Sequence, residues 1–79
     1  MHVTPAGTQV MPGMKFTLAG TLYEVACLSA VSKGEPYDQT LITSIGYKKP
    51  AEPRRQLDMR YPQIAADDFD RTCTLVRDD

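Results

Sequence analysis

Residues 14–31 read MKFTLAGTLYEVACLSAV, the densest apolar alternation in the chain. A two-residue turn at Ala19-Gly20 sets Leu18 against Thr21, Phe16 against Tyr23 and Met14 against Val25. Strand side chains alternate faces with period two, so these pairs share one side of a ribbon. The other side then carries Lys15 against Glu24 and Thr17 against Leu22. One face is aromatic and aliphatic and the other holds an opposite-charge pair, so the stretch predicts a β-hairpin.

The turn itself contains a conflict. Glycine in the second position suits a type I′ turn, but Ala19 in the first needs a positive φ that an L-residue resists. A three-residue loop, Leu18-Ala19-Gly20, relieves the backbone and slides the pairing by one. That slip exchanges the faces and sets Glu24 against Met14. The hydrophobic pairing favours the two-residue turn. After Tyr23 both faces become apolar, with Val25, Cys27 and Val31 on one and Ala26, Leu28 and Ala30 on the other. That pattern belongs to a central strand, or to one bending around a closing barrel, and the small Ala26, Ser29 and Ala30 permit the bend.

Size and composition bound the rest. Seventy-nine residues make one core, and a core this small leaves only about 3–5 kcal/mol of net stability, so self-association or a partner is a live option. Five glycines and six prolines suit many turns and disfavour long helices. No apolar run approaches the roughly 20 residues that cross a bilayer, and the start lacks a signal-peptide layout, so the expectation is a cytoplasmic protein without a membrane partner. Cys27 and Cys73 lie in apolar, strand-like settings, where a reduced thiol acts as a small hydrophobe. A disulfide between them requires the strands that carry them to be neighbours.

The net charge of −1 is unevenly spread. Residues 45–61 hold Lys48, Lys49, Arg54, Arg55 and Arg60 against Glu52 and Asp58. Residues 64–79 hold Asp67, Asp68, Asp70, Asp78 and Asp79 against Arg71 and Arg77. A basic middle and an acidic end make a dipolar surface.

Before the hairpin, residues 1–9 lack periodicity and read as an extended, flexible arm, closed by a Pro12-Gly13 turn; residues 10–79 form the single domain. After it, Ser32–Gln39 (SKGEPYDQ) is a connection with breakers at Gly34, Pro36 and Asp38. Thr40–Tyr47 (TLITSIGY) alternates as a strand, with Gly46 marking a bulge or a close approach. Lys48–Gln56 (KKPAEPRRQ) is an exposed loop, since its prolines exclude helix and central strand. Leu57–Tyr61 alternates as a fourth strand. Pro62–Asp70 has helical spacing for one or two turns, with Ile64, Ala65, Asp68 and Phe69 on one side. Arg71–Arg77 is a last strand, with Cys73 and Leu75 alternating. Five short antiparallel strands hide their edges most economically by closing into a small barrel.

The run Pro12-Gly13-Met14-Lys15-Phe16, then Gly20, then Leu22-Tyr23-Glu24-Val25, resembles the opening of small SH3-like and KOW-type barrels. Those modules set a short 3₁₀ turn before the last strand, where this chain has Pro62–Asp70. The resemblance implies a five-stranded antiparallel SH3-like barrel and brings no functional residues with it. A second stretch, Lys33-Gly34-Glu35-Pro36-Tyr37, is similar to a hairpin tip in the OB-like single-stranded-DNA-binding proteins of filamentous phages. Here Glu35 departs from that pattern and would repel phosphate. An OB-like barrel, with its helix between strands three and four, is the alternative architecture.

Catalytic and metal chemistry find little footing. His2, Cys27 and Cys73 are far apart, without the short spacings of metal ligands. No base is placed beside a nucleophile, and no glycine loop resembles a phosphate cradle. Asp67, Asp68 and Asp70 cap or solvate a turn more readily than they work as an acid–base pair. The expectation is a non-enzymatic protein with no cofactor. Its strongest candidate site is the basic loop: Lys48, Lys49, Arg54, Arg55 and Arg60 for phosphates, with Tyr47 and Tyr61 at its flanks for base stacking. Lys33 and Tyr37 on the neighbouring connection extend it. Nucleic acid is therefore the first expected partner. The alternatives are a protein-binding module or inhibitor of phage or mobile-element type acting on a host complex, and an oligomeric barrel pairing with its own copies. The same cations on a merely solvated loop would serve solubility, and Phe69 among its aspartates is best read as a core residue.

Overall fold

The computed structural model describes residues 2–33, 39–54 and 60–76, with side chains at 32, 33 and 39 set aside. Six strands and one helix follow in order: β1 (His2–Val3), β2 (Lys15–Leu18), β3 (Thr21–Lys33), β4 (Gln39–Lys48), β5 (Gln63–Ala65), α1 (Ala66–Thr72) and β6 (Cys73–Leu75). They form one sheet in the order β1-β4-β3-β2-β6, with β5 also on β4. The sheet curls into an open half-barrel. Among the described residues the strand count is six where five were expected, and the sheet is open where closure was expected.

The hairpin adopts the two-residue register. Lys15 pairs with Glu24, Phe16 with Tyr23, Thr17 with Leu22 and Leu18 with Thr21. Ala19 and Gly20 sit at φ of 52° and 81°, the signs a type I′ turn needs. Burying Phe16 therefore outweighs the local strain at Ala19. A bulge closes the ladder at its open end: Gly13 N–H donates to the Val25 carbonyl (2.9 Å) and Val25 N–H donates to the Met14 carbonyl (2.8 Å).

Two further bulges explain why simple alternation fails beyond Val25. On β3, Val25 faces Tyr47 and Cys27 faces Gly46, leaving Ala26 as an extra residue. On β4, Ser29 faces Ser44 and Ala30 faces Ile42, leaving Thr43 as the extra one, its hydroxyl donating to the Ser29 carbonyl (3.0 Å). Each extra residue shifts the side-chain phase by one. Ile42 and Ile45 are thus both buried in the core despite their odd spacing, and Leu28 packs on that core. Cys27, expected to share the face of Val25, lies instead over Gly46, and Val31 is 54% exposed.

The core comprises Val10, Phe16, Val25, Ile42, Ile45, Ala66 and Phe69. Within the stretch 1–9, expected as an arm, the chain doubles back through a turn at 5–7, so that Val3 bridges Gln9 antiparallel, while His2 and Val3 pair in parallel with Thr40 and Leu41. Val3 and Thr4 are buried, and the Thr4 hydroxyl accepts from Thr8 N–H (3.1 Å).

The C-terminal third departs from expectation in its boundaries. The strand expected over Leu57–Tyr61 falls partly outside the described residues, and Arg60 and Tyr61 belong to no strand. The pairing strand is Gln63–Ala65, inside the stretch expected to be helical. Extended backbone there lets Ile64 sit opposite Ile45 and pack on the core. The helix starts at Ala66, burying Ala66 and Phe69 at a spacing of three, with Asp67 and Asp68 in its favoured acidic first turn. It takes Arg71 and Thr72 from the expected last strand, which shortens to Cys73–Leu75 beside β2. Since β2 lies between β3 and β6, Cys27 and Cys73 are not on neighbouring strands, and both are free thiols.

Gly46 marks a close approach: a methyl group there would overlap Cys27 Sγ. Gly46→Ala is expected to destabilise by about 1–3 kcal/mol, read as a lower urea midpoint. Adding Cys27→Ala should recover most of the loss. In the turn, Ala19→Asn should raise stability by about 1 kcal/mol, because asparagine accepts the left-handed backbone; an unchanged midpoint would argue against strain at Ala19.

Candidate nucleic-acid interface

The basic loop leaves the sheet at Lys48, the last residue of β4. Lys48 and Glu24 are ladder partners on adjacent strands. Tyr23, Val25 and Tyr47 turn to the core side, which leaves Glu24 and Lys48 together on the opposite, outer side. There Lys48 Nζ meets Glu24 Oε2 at 3.3 Å. It also donates to the carbonyls of Lys49 (3.4 Å), Pro50 (3.5 Å) and Glu52 (2.9 Å). At 6% exposure Lys48 is buried beneath its own loop. A buried ammonium needs such partners, and here they wrap residues 49–52 around it.

Arg54 fixes the next part of the loop. Its Nη2 donates to the Ala26 carbonyl at 3.1 Å, while the side chain as a whole stays exposed. Ala26 is the bulged residue of β3, so its carbonyl stands outside the regular ladder and is open to a side-chain donor. The loop then returns to the sheet where Tyr47 N–H donates to the Pro62 carbonyl (3.0 Å). Tyr61 lies against the Gly46 position, half-buried. Both ends of the loop and its Arg54 anchor therefore meet the same few sheet positions, Val25–Cys27 and Gly46–Lys48.

Lys49, Arg54 and Arg60 are the exposed cations among the described residues of this segment. Lys48, grouped with them from sequence, is consumed internally. Tyr47, expected as a stacking platform, packs its ring into the core side at 5.8 Å from Phe16 and 4.9 Å from Tyr23. Tyr61 remains the half-buried ring beside the loop. Arg55 and Tyr37 lie outside the described residues, and Lys33 ends β3 with its side chain outside them. The Ala26 carbonyl was not legible as part of the site; its only sequence signal is a small residue where both strand faces turn apolar.

A second feature emerges only from the fold. An open groove of about 920 Å³ runs between the 6–15 segment and the end of β6, lined among others by Met11, Pro12, Met14, Lys15 and Val76. Met11 and Val76 are 52% and 42% exposed. Among the described residues no three His, Cys, Asp or Glu side chains come together to hold a metal ion. Burial pushes the Cys73 thiol above its ordinary range, outweighing the hydrogen bond with Thr72, so it stays protonated at neutral pH. No helix among the described residues is long and apolar enough to cross a membrane. No family model, curated protein or solved structure matches the chain.

Lys48 and Lys49 differ in a measurable way. Lys48→Met leaves Glu24 and three carbonyls without their donor and is expected to destabilise by about 2–3 kcal/mol, with faster proteolysis within residues 49–54. Lys49→Ala should leave the thermal midpoint within about 1 °C of wild type. Equal stability of the two variants would contradict the buried role of Lys48.

Proposed function

We propose that this chain is a non-enzymatic binding module of the SH3-like barrel type that takes nucleic acid along the loop 48–55, through Lys49 and Arg54, and through Arg60 and Tyr61 where the chain returns to the sheet. The support is the exposure of Lys49, Arg54 and Arg60 on a segment that Lys48 and Arg54 tie to the sheet at Glu24 and Ala26. Exposed cations held near one another meet successive phosphates and release counterions. Tyr61 is the ring closest to them in the chain, placed for a base to stack. Arg54 keeps further guanidinium donors beyond the one that Ala26 uses, and a planar guanidinium suits phosphate oxygens. In this reading Lys48 positions the loop and touches no ligand. A cytoplasmic setting accords with this function.

The groove beside β6 favours a second reading, a protein-binding module, because the exposed apolar side chains of Met11 and Val76 border an open groove of mixed polarity. The two separate by salt. Binding of a fluorescent single-stranded oligonucleotide, measured between 50 and 300 mM salt (about 14 to 6 Å of screening length), should weaken steeply. Lys49→Ala combined with Arg54→Ala should flatten the log–log slope by about one to two units. Binding that ignores both salt and these substitutions would sink the nucleic-acid reading. Loss of a protein partner on Met11→Glu, with the oligonucleotide unaffected, would select the second.

A further inference from the structure

We infer that the outer edge of β3, Cys27–Lys33, pairs with the same edge of a second copy of this chain. β3 is 13 residues long, whereas β2 covers only Thr21–Glu24. Gly13 and Met14 carry the pairing one residue further, to Val25, and Arg54 takes the carbonyl of the bulged Ala26. Past that point no other described strand lies on that side of β3, while β4 follows its opposite side as far as Lys33. Among the described residues, therefore, no strand takes the row of backbone donors and acceptors along the outer half of that edge. Such a row is a template for strand addition unless charge, proline or a bulge blunts it.

None of those devices protects this segment. Cys27–Ser32 reads CLSAVS, without a charge or a proline, and the bulge on β3 lies at Ala26, before the open edge begins. Ser29, Ala30 and Val31 are all exposed, Val31 by 54%. The absence of charge is what selects a second copy as occupant. Two identical edges meeting antiparallel bring the residues beside the two-fold axis near their own copies, and a charge there would repel itself. This one has no charged residue to repel until Lys33, at its end.

The geometry also fixes the register. In one continuous sheet the two-fold axis runs perpendicular to the strands, and facing residues must point to the same side. The axis is therefore normal to the sheet and passes between two copies of one residue, and Ala30 is the centre of Cys27–Lys33. Val31 then faces the partner's Ser29, and the two Val31 side chains are diagonal neighbours about 7–8 Å apart. The Lys33 pair is roughly 20 Å apart along the strands, beyond the screening length at physiological salt. A contact this short is small beside the roughly 1,200–2,000 Å² of a stable interface, so association is weak and concentration-dependent. It does not depend on what the basic loop binds.

The test is sedimentation equilibrium of the full chain from 10 μM to 1 mM (millimolar being the weak end of specific affinity), without oligonucleotide. Wild type should pass from monomer to dimer over this range. Val31→Lys and Val31→Glu each set like charges on the diagonal and should raise the dissociation constant about tenfold, while circular dichroism reports unchanged strand content. An equimolar mixture of the two variants should associate again, because the diagonal now joins opposite charges. Added salt should weaken the mixture and strengthen each variant alone. A wild type that stays monomeric at 1 mM overturns the inference, as it would if the edge served a different protein. So does a dimer that neither substitution weakens, or a mixture no tighter than its components.

Discussion

The structure depends on the burial of one ring. Phe16 is fully buried, with the rings of Tyr23, Tyr47 and Phe69 at centroid distances of 5.9, 5.8 and 5.0 Å. Those four rings come from β2, β3, β4 and α1, so a single cluster ties together elements from both ends of the chain. Tyr47 and Phe69 meet Phe16 edge-on, an arrangement in which the positive rim of one ring approaches the negative face of another. Any shift of the hairpin by one residue would swing Phe16 to the solvent side. The cluster therefore enforces the register, and through it the left-handed backbone at Ala19. It also fixes Glu24 on the outer face, where Lys48 finds it.

From that constraint the placement of the basic loop follows. Tyr47 is drawn inward by the cluster, so its neighbour Lys48 must point outward beside Glu24. Desolvation there is tolerable only because the loop supplies carbonyl oxygens, and in supplying them the loop closes over the ammonium. The bulge at Ala26 provides the second attachment by exposing a carbonyl that regular pairing would consume. The loop is thus shaped by two groups of the sheet that a local reading treats as unrelated to it.

This also explains which features were legible in the sequence. The hairpin was, because its pairs are close in the chain and the alternation of Phe16, Tyr23 and Val25 has one sensible register. The thiols were legible as small hydrophobes, and Gly46 as a place of close approach. The two bulges were not, since an extra residue in a strand looks like ordinary alternation with a phase error; Ile42 and Ile45 record that error only once their burial is known. The strand at Gln63–Ala65 was hidden by Pro62 and a helical spacing that holds from Ala66 onward. Lys48 was misplaced for a related reason: its partner Glu24 is 24 positions away, and the local pattern paired that carboxylate with Lys15.

The anchoring of the loop bears on what the exposed cations are worth. A free loop that binds a polyanion must lose backbone and side-chain freedom on contact, which offsets much of the electrostatic gain. Lys48 and Arg54 impose part of that order during folding, at the expense of one positive charge, that of Lys48, which sequence composition assigns to the surface. The exchange is favourable for recognition if the cations that remain outside are held in a fixed relation to one another. Lys49 follows Lys48 directly, Arg54 is itself an anchor, and Arg60 stands two residues from the Pro62 carbonyl that returns the chain to Tyr47. Among the described residues, Lys49, Arg54 and Arg60 are thus each within two residues of a fixed point, an order that the proposed binding to an extended anion would use and that solubility alone would not need.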